Sequence, residues 1–412
     1  VAPRITVDLA PLRESRDFRL LFAGLLVSSL GNQLTTVAIP FQVYALTRSS
    51  LQVGLVSLAQ LVPLIVGSLI GGTVGDVVDR RTLIAVTAAA SCLAAAGLVL
   101  NSLAAHPSLL VIYLVSALAA GLTGFASPAR NAAIPMLVSP RHLVAAYSFN
   151  QIVFQLAVIV GPLIAGLLIA SAGIAWTYGI DAASFVVMAL AALAMRPLPP
   201  EGGGQRAGIR SILDGFSFLR GRQVLQGVYL IDLNAMIFGM PRALFPAMAA
   251  TVFHVGPTGL GMLYAAPAIG GLLGASTTGW VESIVRRGRA VVVAVALWGV
   301  AITIFGFTST LGVALGALAI AGWADVISAV LRNTILQSSI PDDMRSRLSS
   351  FQMAVVQGGP RLGDTEAGAV AALTSTEFSV ISGGLACIVG AGVVARLLPR
   401  FWAERAGTPE VS

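Results

Sequence analysis

The sequence predicts an all-α membrane protein, with twelve transmembrane helices arranged as two six-helix pseudo-repeat bundles. Three observations carry this. Of the 412 residues, 56% are hydrophobic and only 10% are charged, far too little charge to cover a soluble surface of this length. Apolar runs of about 20 residues or more, the length a helix needs to cross the hydrocarbon core, recur twelve times. The arginines between the runs fall almost wholly in alternate loops.

Taken in order, the runs cover residues 20–46, 51–75, 82–103, 108–131, 143–171, 174–195, 223–253, 258–281, 290–308, 311–338, 348–373 and 378–398. The longer ones are expected to tilt or protrude, and Pro40, Pro135 and Pro246 blur the neighbouring boundaries. The stretch before the first run is polar, with Arg4, Asp8, Arg13, Glu14, Arg16, Asp17 and Arg19. It is not expected to be a cleavable signal, because the run behind it is too long and many others follow. With the N-terminus inside, twenty-one arginines fall in cytoplasmic segments and only Arg48 falls in an outer loop; Arg242, Arg332 and Arg361 lie within spans. Both termini are therefore expected in the cytoplasm, and the chain in a bacterial inner (plasma) membrane.

The middle connection divides six spans from six. Residues 196–208 are rich in proline and glycine and read as a flexible linker. Between Ile209 and Arg220, Ile212, Leu213, Phe216 and Leu219 recur at helical spacing beside Arg210, Asp214 and Arg220, the pattern of a short amphipathic helix on the membrane surface. The expected domains are a bundle over 1–195, a cytoplasmic linker over 196–222 and a second bundle over 223–412. The halves also echo each other: Arg130-Asn131 near the end of the fourth span recurs as Arg332-Asn333 near the end of the tenth, and Ser139-Pro140 is matched by Ile340-Pro341. Parallel six-helix repeats with a site near the bilayer midplane are a transporter architecture.

Composition also excludes chemistry. All 25 basic residues are arginine. Without lysine there is no P-loop lysine for ATP phosphates and no Schiff base for a pyridoxal cofactor. The net charge of +7 does not point to nucleic acid, because the arginines sit in short loops between apolar runs. His106, His142 and His254 are too far apart in sequence for a metal spacing. Cys92 and Cys387 lie inside apolar runs and read as small core residues rather than a disulfide. No catalytic constellation, metal site or resident cofactor is expected; the coupling ion would be a proton.

After the second run comes Gly72-Thr73-Val74-Gly75-Asp76-Val77-Val78-Asp79-Arg80-Arg81-Thr82-Leu83. This resembles the G-x-x-x-D-R-x-G-R-R-x-x signature of the major facilitator superfamily. Gly72, Asp76, Arg80 and Arg81 match; Val77 stands where the first arginine is usual and Asp79 where the second glycine is usual. Trp176–Phe185 (WTYGIDAASF), Arg242 within PRALFPAM, and Gly322 to Leu331 followed by Ile340-Pro341 are similar to the branch containing the enterobactin exporter and related drug–proton antiporters. Gly161-Pro162-Leu163-Ile164-Ala165-Gly166 in the fifth span resembles the G-P-x-x-G-G motif of antiporters, with Ala165 replacing one glycine. The resemblance implies gating roles for Gly72, Asp76, Arg80, Arg81, Gly161, Pro162 and Gly166. It also implies that spans one, four, seven and ten line a cavity while three, six, nine and twelve face lipid.

Ionisable residues inside a bilayer are costly and face a cavity or one another. Spans seven, ten and eleven carry Asp232, Arg242, Asp325, Arg332, Arg361, Asp364 and Glu366, and Asp181 in span six stands as an exception. Asp325 and Asp232 are the candidates for substrate contact and proton coupling, because carboxylates in partly dry cavities exchange protons near neutral pH. Arg332 lies seven residues beyond Asp325, on the same face; it reads either as a cavity residue or as half of an ion pair with a neighbouring helix. Asp232 and Arg242, ten residues apart, fall on different faces. Arg361 and Asp364 are spaced to pair locally. Asn32, Gln33, Gln151, Gln155 and Arg242 complete the candidate substrate contacts, with Phe41, Tyr147, Phe238 and Tyr264 as candidate stacking surfaces.

The expected function is secondary active export of a small or medium organic molecule, siderophore-like or an amphipathic drug, by proton antiport and alternating access. The partners are that solute and the lipid bilayer, without nucleic acid, and the chain is expected to act as a monomer. A proton-coupled importer of a small metabolite on the same fold, or a membrane receptor without turnover, are the alternatives.

Overall fold

A polar backbone group left unpaired in hydrocarbon costs several kcal/mol, so a spanning chain folds into helices that satisfy their own amides. The computed structural model of the chain describes residues 9–200, 216–340 and 344–405. Among these residues there is no strand, and the long elements are α1 (Arg16–Thr47), α2 (Ser50–Gly75), α3 (Arg80–Leu103), α4 (Leu109–Leu137), α5 (Leu143–Ser171), α6 (Ile174–Leu193), α7 (Gln223–Thr251), α8 (Pro257–Ser276), α9 (Arg287–Phe307), α10 (Leu311–Ser339), α11 (Arg345–Leu373) and α12 (Thr376–Leu397). Eleven of them are long and apolar enough to cross a membrane. The other, α11, is 29 residues long and carries Arg361, Asp364 and Glu366. The amphipathic helix expected at Ile209 to Arg220 falls largely outside the described residues.

The chain divides into two compact units. Unit 1 comprises Val1–Gln42 and Ala59–Arg206; unit 2 comprises Val43–Leu58 and Ala207–Ser412. In unit 1, α3 packs against α4 and α6; in unit 2, the corresponding α9 packs against α10 and α12. Aromatic rings fill each interior, with Phe18, Phe22 and Phe149 in unit 1 and Phe245, Phe253, Tyr264 and Phe305 in unit 2.

Lipid tails are as apolar as leucine, so helices associate through close packing rather than through escape from water. Glycines supply it at equivalent places in both units. A Cβ on Gly67 or Gly71 of α2 would strike the backbone of Gly121 or Phe125 on α4, and one on Gly124 would strike that of Leu64. In unit 2 a Cβ on Gly270 of α8 would strike the Ala319 backbone of α10, one on Gly322 of α10 that of Pro267, and one on Gly274 would press on that of Trp323. Gly67 and Gly71 recur 203 residues later as Gly270 and Gly274, a firmer repeat than the Arg-Asn pairs.

The seventh span, expected to be continuous over 223–253, is broken. A helix over Gln223–Phe238 stops, a 3-10 turn follows at Arg242–Leu244, and helix resumes over Phe245–Thr251. Pro241 lacks an amide hydrogen and disfavours helix in the residue before it. The freed groups are satisfied by other helices: Trp298 Nε1 donates to the Gly239 carbonyl at 2.8 Å, and the Ala243 amide donates to Asp364 Oδ1 at 3.0 Å. Gly363 lets α11 reach the backbone at Met236 and Ile237, which brings Asp364 to the break.

Two substitutions test the glycine seams. Gly270→Val forces α8 from α10 and should lower stability by about 1–3 kcal/mol, the usual cost of overpacking, read as a fall in the thermal midpoint of the detergent-solubilised protein. Gly316→Ala, on α10 but facing open space, should leave the midpoint unchanged; equal effects would show that the seam does not govern packing.

Candidate functional site

Span α10 turns Ser328 and Arg332 to one side, one helical turn apart, and Asp325 lies two turns from Arg332. In unit 2 this face meets Asp232 on the unbroken part of α7. Arg332 Nη2 lies 2.9 Å from Asp232 Oδ1 and 3.9 Å from Asp325 Oδ1, and Nη1 donates to Ser328 Oγ at 3.1 Å. The side chains of Arg332 and Asp232 are each 8% exposed, whereas that of Asp325 is 36% exposed. Arg332 is thus half of an ion pair with a neighbouring helix, the second of the two readings that the sequence left open, and it lies near Asp325 as well.

Two carboxylates share the one guanidinium within contact distance, and Arg242 acts on Asp325 as a more distant positive charge. Asp232 Oδ1 meets Arg332 without the alignment of a hydrogen bond, and Tyr229, one turn away on α7, buries a hydroxyl that has no partner. Buried polar atoms are nearly always satisfied, so this hydroxyl beside the charged triad marks a place for a further hydrogen-bonding group. The Tyr229 ring is held edge-on by Phe351 at 4.9 Å.

The remaining candidates are placed as follows. Arg242 is exposed in the 3-10 turn, far from Asp232 along the broken span, and its carbonyl accepts from Tyr264 Oη at 3.1 Å. Arg361 and Asp364 form no ion pair, contrary to their spacing. Arg361 Nη1 donates to the Gln357 carbonyl of its own helix at 2.7 Å, while Asp364 is taken by the break in α7 and by Ser57 Oγ, which donates to Oδ2 at 2.7 Å. A carboxylate accepting a backbone amide at the start of a helical segment is favoured over a local pair, because it satisfies an orphan donor and the end charge together. In unit 1, Asn32 and Gln151 are exposed and Gln33 and Gln155 half-buried; Gln33 lies against Gly161, where an added Cβ would strike it. Gly161, Pro162 and Gly166 are buried along a continuous α5.

In the signature loop, Gly72 has open space around it, Asp76 and Arg81 are half-buried, and Arg80 lays its guanidinium on Met136 Sδ. The departure at Asp79 has a role that motif comparison missed. Asp79 Oδ1 accepts the Thr82 amide at 2.9 Å, capping α3, and Oδ2 accepts the Leu198 amide at 2.6 Å. The sequence signal was available: aspartate three residues before Thr82 at a helix start is an N-cap pattern.

Comparison with known proteins places this geometry. A family model described as transmembrane secretion effector matches residues 6–409. The enterobactin exporter EntS of Citrobacter koseri is 29% identical over 383 residues, 93% of this chain and 92% of the relative. EntS of Escherichia coli O1:K1 is 29% identical over 98% of this chain and 97% of its own. Among solved structures, the nucleoside transporter NupG superposes with a TM-score of 0.73 at 13% identity, covering 94% of this chain and 98% of that one. A bacterial homologue of the iron transporter ferroportin, in an inward-facing state, reaches 0.68 at 16% identity, covering 94% and 99%.

The ion pair makes an asymmetric prediction. Arg332→Met strands the buried Asp232 and should cost about 3–5 kcal/mol, whereas Asp232→Leu combined with Arg332→Met should recover most of that loss. Thermal unfolding of the three detergent-solubilised proteins reads this directly, and a double variant no more stable than Arg332→Met would refute the pairing.

Proposed function

Because the chain belongs to the transmembrane secretion effector family of the major facilitator superfamily, and so is a membrane-embedded transporter rather than an enzyme, we propose that it exports a small or medium organic molecule by proton antiport and alternating access. The observation that carries this reading is the Asp232–Arg332–Asp325 cluster. Its second carboxylate can take either a proton or a cationic group of the cargo, and an exchange of one for the other is what antiport requires. Asp232 is fixed by the shorter contact and serves as the permanent counter-ion. Asp325, farther from the guanidinium and more exposed, is the group that changes state.

The direction and the cargo class come from the relatives. Their names describe enterobactin exporters over nearly the whole length of both chains, which favours a siderophore-like or amphipathic organic cargo moving outward. The arginine-rich loops put both termini in the cytoplasm. The signature-loop residues Asp76, Arg80 and Arg81, with the α5 residues Gly161, Pro162 and Gly166, act in gating on this reading.

Inverted vesicles given a panel of catecholate siderophores and amphipathic dyes in the outer medium test the proposal. Uptake into the lumen should rise when the lumen is made acidic. Asp325→Asn should abolish that dependence and leave exchange of cargo at equal pH intact, while Asp232→Asn should lower both by exposing Arg332 to Asp325 alone. Accumulation in the opposite direction would make the protein an importer, and an unaltered pH response in Asp325→Asn would remove Asp325 from coupling.

A further inference from the structure

Unit 1 contains a second buried carboxylate that the cluster above does not use. Asp181, on α6, is 2% exposed. Its partners are neutral: Thr35 Oγ1 on α1 lies 2.5 Å from Oδ2, and Ser184 Oγ donates to the Asp181 carbonyl at 2.7 Å and lies 3.5 Å from Oδ1. Among the described residues Asp181 is in none of the ion pairs, which take Glu14, Asp17, Asp232 and Asp325 as acidic members. The helices around it offer little else that ionises. Between Arg19 and Arg48, α1 has Tyr44 alone; α3 has Cys92 beyond Arg81; α4 has Tyr113 and Arg130; α5 has Tyr147; and α6 itself adds Tyr178, whose hydroxyl is given to Gln42 Oε1 at 2.8 Å.

The seam that holds Asp181 carries polar side chains at intervals. Gly31 allows α1 to close on α6 so tightly that a Cβ there would strike Ser184 Oγ and crowd Asp181 Oδ1. Gln42, Thr35 and Ser28 lie at seven-residue intervals on one face of α1, spread over about 21 Å of helix with Ala38 and Gly31 between them, and all three are 9% exposed or less. Ser28 then opens on a cavity of about 30 Å³ lined also by Thr87, Ser91, Thr123, Arg130 and Phe185. Ile84, Ala88, Leu122, Ala126 and Met188 complete the lining, and a cavity of that size with several polar groups on its wall has room for one or two waters. Arg130 donates there only a long bond, 3.5 Å to the Thr123 carbonyl.

We propose that Asp181 is a proton-binding site of unit 1, reached by water through the Arg130 cavity and the hydroxyls of the α1–α6 seam. An ionised carboxylate without a cation in this surrounding is an uncompensated buried charge, which costs several kcal/mol, and a neutral acid is a hydrogen-bonding group that suits its hydroxyl neighbours. In transport, where the inference rests on the proton-driven reading above, Asp181 takes up and releases a proton separately from Asp325.

Infrared difference spectroscopy of the full-length protein in detergent tests this independently of any cargo. The wild type should show a protonated-carboxyl stretching band that is lost in Asp181→Asn and retained in Asp325→Asn. Thr35→Val, which keeps the acid, should move that band by removing its hydroxyl partner. Transfer to deuterated buffer should shift the wild-type band quickly, and Ser91→Leu, which fills the cavity, should slow that shift. A spectrum in which neither Asp181→Asn nor Thr35→Val alters a protonated-acid band overturns the proton site, and exchange unaffected by Ser91→Leu overturns the route. Vesicles that carry no cargo would refute the exporter reading while leaving the infrared result to stand or fall alone.

Discussion

In a hydrocarbon setting a charge must meet an opposite charge, a proton or water, and a backbone group freed from its helix must find another partner. The internal organisation of both units follows from that constraint. Among the described residues the long helices satisfy most of their own backbone. Where α7 gives up its helix around Gly239 and Pro241, Trp298 and Asp364 take over the freed carbonyl and amide. Where charge enters unit 2, Arg332 and Asp232 are set against each other at 2.9 Å. Where an acid enters unit 1 without a cation, the Thr35 hydroxyl meets it and that of Ser184 lies near. Each is a different solution to the same cost, and the choice among them separates structural charge from charge that can change.

That distinction sorts the acidic residues. Asp364 and Asp79 each accept backbone amides at the start of a helical segment and are committed to architecture. Asp232 is committed to Arg332. Asp325 and Asp181 are held loosely or by neutral partners alone, and they lie in different units. A transporter that couples cargo to an ion needs groups whose charge is not already cancelled, and these two meet that condition.

The number and rough position of the spans were legible because an unbroken apolar run about 20 residues long matches the thickness of a bilayer and little else in a folded chain. Charge was visibly concentrated in spans seven, ten and eleven from composition alone. The pairing of those charges was not legible. Asp232 and Arg332 are a hundred residues apart, and nothing local says that α7 faces α10 at that height. Arg361 and Asp364 misled for the opposite reason: helical spacing made a local pair plausible, but a broken helix elsewhere offered Asp364 a better partner. The break was itself half visible, since Pro241 and Pro246 sit in the run, yet proline alone does not say whether a membrane helix bends or stops. Motif comparison treated Asp79 as a loss, although its spacing to Thr82 already described a cap.

The interruption in α7 makes one rod into two, joined at a pivot pinned from both sides by different helices. Such a joint bends where it is pinned and not along its arms. A swing of the short Phe245–Thr251 arm is therefore passed first to α9, through Trp298, and to α11, through Asp364. The same α11 also lies against the arm that carries Asp232, at Met236 and Ile237 through Gly363, so one helix touches this span on both sides of its interruption.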